Sequence, residues 1–312
     1  MKHILITGGA GFIGSNTVQY ALDLGFEVTV LDSFENAVSS TEELRNLGAK
    51  ILNIDVREKE KIDALNYKFD SIIHLAAQVS VPKSLQSPAE NHAINVEGSI
   101  NMLQFAKRLG IGRFIFASSS AVYGDCTTMP LSESFLGTLQ SPYASSKHEI
   151  ENRIHQAFEE GKEHLSLRFF NVYGPNQHLD SNYGAVIPIF VNVLRNGDQP
   201  LIHGLGNQTR DFVHVDDVSR LLVDLATKEW SNPLQSVYNV GTGIPTTVID
   251  LASLIHRVLA SPTEFQPRFG KARKGDIEQS VASIQATLRD LDWQPKIALE
   301  GGIRHLIGVG SP

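Results

Sequence analysis

The stretch "HILITGGAGFIG" (residues 3–14) runs from a short apolar, β-branched segment straight into glycines at positions 8, 11 and 14. The next residues have helical period. Ile13, Thr17, Tyr20, Ala21 and Leu24 form one stripe, and Gly25 stands where a helix C-cap belongs. Strand, glycine turn and helix make the first unit of a repeating pattern. Further apolar runs recur as "EVTVLD" (27–32), "KILNID" (50–55), "SIIHLAA" (71–77), "RFIFASS" (113–119) and "LSLRFFN" (165–171), most of them separated by segments of helical period. Strands that are apolar on both faces and alternate with helices predict a parallel sheet covered on each side. The expected fold class is therefore α/β, a Rossmann-type doubly wound parallel sheet.

Past Asn171 the texture changes. "YGPNQ", "NGDQP", "HGLGNQ" and "GTGIP" break the chain into loops and short elements, and an apolar-periodic helix is expected near 247–259. A strand near 236–240, "SVYNV", returns to the sheet in this reading. The expected division is a dinucleotide-binding part over 1–170 and a smaller, interleaved substrate-binding lobe over 171–312.

Glycines at the end of a first strand serve a tight turn, close approach of backbone to a diphosphate, and packing of helix on strand; the helix N-terminus faces the anion. Asp32 closes the second strand, 18 residues past Gly14. A carboxylate there accepts hydrogen bonds from ribose hydroxyls and repels a 2′-phosphate, which selects NAD over NADP. Asp55 and Val56, at the end of the third strand, are placed for the adenine.

The chain has 312 residues, 42% of them hydrophobic, enough for a packed core. Its net charge is −7 with no basic block, so nothing points to nucleic acid. No apolar run reaches membrane-spanning length, and "MKHILITGG" leaves no room for a signal peptide; the expected location is cytoplasmic. The single Cys126 excludes an intrachain disulfide and has no visible base partner. The eleven histidines show no HxxH or HxxxH spacing, so no metal is expected, and His148 and His155 are taken as surface or dimer-contact residues.

In "SPYASSK" (141–147), Tyr143 and Lys147 lie four apart and share a helix face. Together with the Thr-Gly-x-x-Gly-x-x-Gly loop about 130 residues upstream, the pair resembles the extended short-chain dehydrogenase/reductase family, in particular its nucleotide-sugar epimerases and dehydratases. "HLAAQVSV", "NVEGS", "SSSAVYGD", "LRFFNVYGP", "VIPIF", "GNQTRDFVHVDDV", "YNVGTG" and "RKGD" resemble that family's motifs, in its order and over nearly the whole chain.

The resemblance implies a catalytic set of Ser119, Tyr143 and Lys147. Tyr143 would be the base, its phenol, ordinarily near pKa ~10, made acidic by the Lys147 ammonium and a positive nicotinamide. Ser119, preferred by register over Ser118 and Ser120, would relay the proton. The resemblance puts NAD on Gly8, Gly11, Phe12, Ile13, Gly14, Asp32, Asp55, Val56, Leu75, Ala76, Ala77, Tyr143 and Lys147. It puts a UDP-sugar on Ser80, Ser119, Asn171, Leu201, His203, Arg210, Arg273 and Ser280. Dehydratases of the family carry an Asp-Glu pair after the catalytic hydroxyl, where this chain has Ser120 and Ala121; the related decarboxylases usually have Glu at the second place. The "SSSAVYGD" string resembles that of the 4-epimerases, so the resemblance implies a 4-epimerase. Ser280, small and seven past Arg273, suggests room for an N-acetyl group. An epimerase of another nucleotide sugar such as UDP-glucuronate, and a non-catalytic NAD-binding sensor, are the alternatives. The helices near 93–109 and 143–160 match those through which the family builds a four-helix dimer interface. Asn95 reads as a helix-distorting structural residue.

Overall fold

The computed structural model describes residues 1–177, 185–230, 235–261, 264–272 and 277–308. Strand β1 (His3–Thr7) is buried from Ile4 onward rather than alternately, the signature of a strand covered on both faces. It lies between β2 (Glu27–Asp32) and β4 (Ser71–His74), parallel to both. Outside β2 lies β3 (Lys50–Asn53); beyond β4 come β5 (Arg113–Ser119), β6 (Glu163–Phe169) and the returning strand Val237–Val240, giving a seven-stranded, all-parallel sheet.

The two-residue period assigns side chains to faces. Ile4, Ile6, Ile115 and Ala117 share a core cluster with Val18 and Ala21 of helix α1 (Phe12–Asp23) and with Val218 and Leu222 of the helix Val215–Thr227. Leu5, Ile72, Phe114 and Phe116 point the other way, against Met102 and Phe105 of the helix Gly98–Leu109 and Ile150 and Ile154 of the helix Pro142–Glu159. A further core joins the helices Val186–Arg195, Val248–Val258 and Leu299–Leu306 through Ile187, Phe190, Leu251, Ile255 and Ile303. The sequence beyond 171 thus contributes both the returning strand and one sheet-covering helix.

Several expected boundaries move. The runs 50–55 and 71–77 leave the sheet at Asn53 and His74, because their last residues turn outward into the loops at the strand ends. The run 165–171 starts earlier, at Glu163, and ends at Phe169; Asn171–Tyr173 pairs instead with Phe212–His214. Leu24 is 52% exposed, since the helix ends at Asp23 and Gly25 turns the chain away at φ 81°. No helix among the described residues is long and apolar enough to cross a membrane.

Candidate active site

Chain order runs from β1 outward to β3 and then back to β4, so the sheet reverses direction of construction between β1 and β4. The strand ends at such a reversal are the usual ligand position in these sheets. The glycine turn sits there. Gly8 adopts φ 68°, and a Cβ there would lie 2.6 Å from the Ala76 amide nitrogen. A Cβ on Gly14 would fall 2.0 Å from the Gly8 carbonyl oxygen, so helix and strand meet backbone to backbone. Helix α1 begins at Gly11 with no side-chain cap and no acid in its first turn, which leaves Phe12, Ile13 and Gly14 at its electropositive end.

Asp32 ends β2 beside this turn. Its Oδ2 accepts from the Ala10 amide at 2.9 Å and its Oδ1 from the Phe34 amide at 2.8 Å, and a carboxylate oxygen has a second lone pair for a ribose hydroxyl. Farther along, an open cleft of about 440 Å³ is lined by Ser33, Asn53, Asp55, Arg57 and Glu58. Asp55 grips Arg57 in a fork, Nε to Oδ1 at 2.9 Å and Nη2 to Oδ2 at 2.6 Å, which holds its carboxyl below the usual range. Val56 is 4% exposed and packs under Gly98. Leu75 and Ala76 bond back to Thr7 through their amides, and Ala77 continues the same wall. A cradle without room for side chains, an anion-favouring helix end and an acidic ribose acceptor fit a dinucleotide.

The helix Pro142–Glu159 carries the expected Tyr143 and Lys147. Ser141 caps it, accepting from the Ala144 amide at 3.1 Å, and proline occupies the first turn, where no amide is needed. Tyr143 and Lys147 lie next on the face turned to the sheet, 8% and 3% exposed. Ser119 neighbours the Tyr143 phenol and draws it down against the effect of burial. Lys147 Nζ donates to the Ala117 carbonyl at 2.7 Å and lies 5.9 Å from the Tyr143 ring centroid. Strand parity separates the three serines: Ser118 faces the helix layer and its hydroxyl donates to Glu151, while Ser119 closes β5 and accepts from the Ala121 amide at 3.2 Å. Ser120 and Ala121 open the short 3₁₀ turn Ser120–Tyr123.

Burial governs the protonation of both groups. Burial pushes Tyr143 up and only Ser119 draws it back. Burial also drives Lys147 down to about 7, against the pull of Glu151. Desolvation dominates the phenol's shift, so lowering it requires positive charge brought to the site.

The expected substrate residues fall on several separate elements. Arg210 and Ser280 stand in register on neighbouring strands, and Arg210 Nη1 donates to the Ile277 carbonyl at 2.7 Å. Ser280 is 7% exposed. Leu201 and His203 lie on a strand paired with Arg268–Gly270; Leu201 is 47% exposed and His203 Nδ1 is 3.1 Å from the Lys271 carbonyl. Asn171 Nδ2 donates to the Asp211 carbonyl at 3.0 Å, and Ser80 caps the helix Val81–Gln86 through the Lys83 amide. Arg273 lies outside the described residues.

Two organising groups escaped the sequence reading. Asp211 is fully buried, and its carboxylate accepts from the amides of Thr242, Gly243 and Ala282 and from the Thr242 hydroxyl, tying the "GTG" turn to Ser280's strand. His74 bridges Thr7 Oγ1 at 2.6 Å and Ser99 Oγ at 2.8 Å, with burial taking it down to about 3. A carboxylate inside "TRDF" and a histidine inside "SIIH" were the available signals. Asn95 sits within a π-helical turn, Ala93–Glu97, and clamps Gln78: its Oδ1 accepts from the Gln78 amide at 2.7 Å and its Nδ2 donates to Ser146 Oγ at 3.2 Å.

Among the described residues, His214, Asp216 and His305 have ligand-like spacing, their ligand atoms within 4.8 Å of one another. The His214 Nδ1 that faces Asp216 already accepts the Asp216 amide hydrogen at 3.2 Å, so its lone pair is committed to capping a helix. His148 Nδ1 is 3.5 Å from Glu151, and His155 is paired with Ser236. Cys126 is a half-buried thiol.

The match to known proteins covers the same elements. Residues 4–241 fit the model of the NAD dependent epimerase/dehydratase family. A Methanocaldococcus jannaschii relative, provisionally named a UDP-glucose 4-epimerase, is 35% identical over 312 residues, with 97% of each chain covered. UDP-glucuronic acid decarboxylase 1 of Xenopus tropicalis is 32% identical over 314 residues, covering 98% of this chain and 71% of the relative. The solved UDP-N-acetylglucosamine 4-epimerase of Methanobrevibacter ruminantium M1, in complex with UDP-N-acetylmuramic acid, superposes with a TM-score of 0.89 at 33% identity, covering 99% and 97% of the two chains. Fold, glycine turn and sequence agree, and the chain belongs to the NAD-dependent epimerase/dehydratase family.

Proposed function

We propose that the protein is a UDP-sugar 4-epimerase, accepting UDP-N-acetylglucosamine and UDP-N-acetylgalactosamine as well as UDP-glucose and UDP-galactose. The observation that carries this reading is the pairing of buried Tyr143 and Lys147 on one helix face, Nζ 5.9 Å from the phenol ring centroid, beside Ser119 at the end of β5. NAD supplies a reversible hydride acceptor and, as the oxidised form, positive charge. Gly8, Gly11 and the first turn of α1 would hold its diphosphate, Asp32 its adenosine ribose and Lys147 its nicotinamide ribose.

Within that frame Tyr143 takes the proton of the sugar 4-hydroxyl and Ser119 steadies the oxygen from which it leaves. The resulting 4-keto sugar turns over, and Tyr143 returns the proton after the other face of carbon 4 has been reduced. Burial of Tyr143 and Lys147 helps to exclude water from the ketone. No acid comes after Ser119, since Ser120 and Ala121 occupy those places, so the ketone has no group there to expel the 6-hydroxyl. Arg210 would meet the diphosphate, an anion that an acidic protein must bind by locally placed cations.

Support for the N-acetyl sugars comes from the small Ser280 and from the solved relative that bears a UDP-N-acetylglucosamine 4-epimerase name. The test is incubation with UDP-glucose, UDP-N-acetylglucosamine and UDP-glucuronate separately, without added reductant, and then proton NMR for the axial 4-hydroxyl isomer. Conversion of the first two supports the proposal. Conversion of UDP-glucuronate alone, or pentose formation from it, refutes it. Pairing of the helices Gly98–Leu109 and Pro142–Glu159 with a second copy belongs to the same proposal, and light scattering should report a dimer.

A further inference from the structure

One turn beyond Lys147 on the same helix is a carboxylate that the chemistry above leaves unused. Glu151 is 2% exposed. Arg168 of β6, 3% exposed, clasps it in a fork, Nε to Oε1 at 2.9 Å and Nη2 to Oε2 at 2.8 Å, and the Ser118 hydroxyl of β5 donates to Oε1. An ion pair buried this completely is a weak source of stability, because desolvation offsets the attraction. Its position suggests another use.

Lys147 needs an anion and has none at ion-pair distance among the described residues. Its Nζ meets the Ala117 carbonyl and, at 4.8 Å from the ring centroid, Phe116 of β5. The titratable or charged groups around it are Tyr143 and Glu151 on its own helix, His148 against Glu151, His74 of β4, which burial keeps neutral, and Arg168 of β6.

We propose that Glu151 is a positioning residue for this reaction: anchored to β5 by Ser118 and to β6 by Arg168, it fixes the catalytic helix against the sheet and keeps Lys147 an ammonium. The inference rests on Lys147 acting as the cationic partner of Tyr143. Glu151→Gln removes the anion and leaves the Arg168 charge unopposed, and both changes favour loss of the Lys147 proton.

The direct readout is the titration of Lys147 by NMR of ¹³C-ε-labelled lysine in the NAD-loaded protein without sugar, the signal assigned by Lys147→Arg. Glu151→Gln should lower the midpoint by about one pH unit and move the alkaline limb of the kcat profile down equally, while Glu151→Asp restores most of both. If Glu151→Gln fails to fold, the double variant Glu151→Gln/Arg168→Met, which empties the site of charge, should still lower the midpoint. An unmoved midpoint in either folded variant overturns the proposal. Because no sugar is present, that result is separate from a failure of the epimerase reading, which would appear as absent turnover with the midpoint still shifted.

Discussion

Replacing Tyr143 by Phe removes one oxygen and nothing else from a residue that is 8% exposed. The ring keeps its packing and its place 5.9 Å from Lys147 Nζ. Ser119 still accepts from the Ala121 amide at 3.2 Å, so the cost in stability is at most one hydrogen bond, about 1 kcal/mol. Catalysis is affected far more. A positioned acid–base group contributes roughly 10²–10⁴ in rate, and in the proposed reaction the same hydroxyl both removes and returns the proton. A fall in kcat of about 10³, equivalent to about 4 kcal/mol of barrier, is expected. The assay is NMR-monitored conversion of UDP-N-acetylglucosamine, with bound NAD quantified after denaturation and the melting temperature recorded alongside. Retained NAD, near-normal melting and a rate down by three orders is the predicted outcome. A folded, NAD-loaded Tyr143→Phe protein within about threefold of the wild-type rate would refute Tyr143 as the base.

The geometry sets three further outcomes. Gly14→Ala, whose Cβ would lie 2.0 Å from the Gly8 carbonyl, should cost about 3 kcal/mol and abolish NAD retention, whereas Gly25→Ala, with open space around it but φ 81°, should cost about 1 kcal/mol and leave NAD bound; denaturant melts and cofactor content distinguish them. His74 is held down to about 3, so the folded protein binds fewer protons than the unfolded chain between about pH 6.5 and 3, and stability is lost as pH falls through that window. His74→Asn should flatten the pH dependence of unfolding there by up to about 1.4 kcal/mol per pH unit, and equal slopes in both proteins would count against a neutral buried imidazole. Ser280→Tyr should reduce kcat/KM for UDP-N-acetylglucosamine by at least about tenfold while sparing UDP-glucose, and equal losses on both sugars would remove Ser280 from the sugar pocket.

The features legible in the sequence were local. Glycines at 8, 11 and 14, apolar runs too uniform for one-sided strands, and Tyr143 four residues before Lys147 are all short-range patterns, and they lead directly to the parallel sheet and the shared helix face. Strand ends were less visible, because 54–55 and 75–77 keep a strand-like composition while their backbone leaves the sheet. Pairings across the fold were not legible at all. Nothing near Glu151 announces Arg168, 17 residues on and in another layer, or Ser118, 33 residues back. The direction of the Tyr143 shift was also hidden, since it depends on how completely the folded chain excludes water from the phenol.

Transient oxidation at carbon 4 is best tested with UDP-N-acetylglucosamine carrying deuterium at that carbon, turned over by the NAD-loaded protein in ordinary water. The expected product is UDP-N-acetylgalactosamine with deuterium still at carbon 4. Product in which that deuterium has exchanged with solvent, or no axial isomer from either this sugar or deuterated UDP-glucose, would contradict a hydride lent and returned at this site.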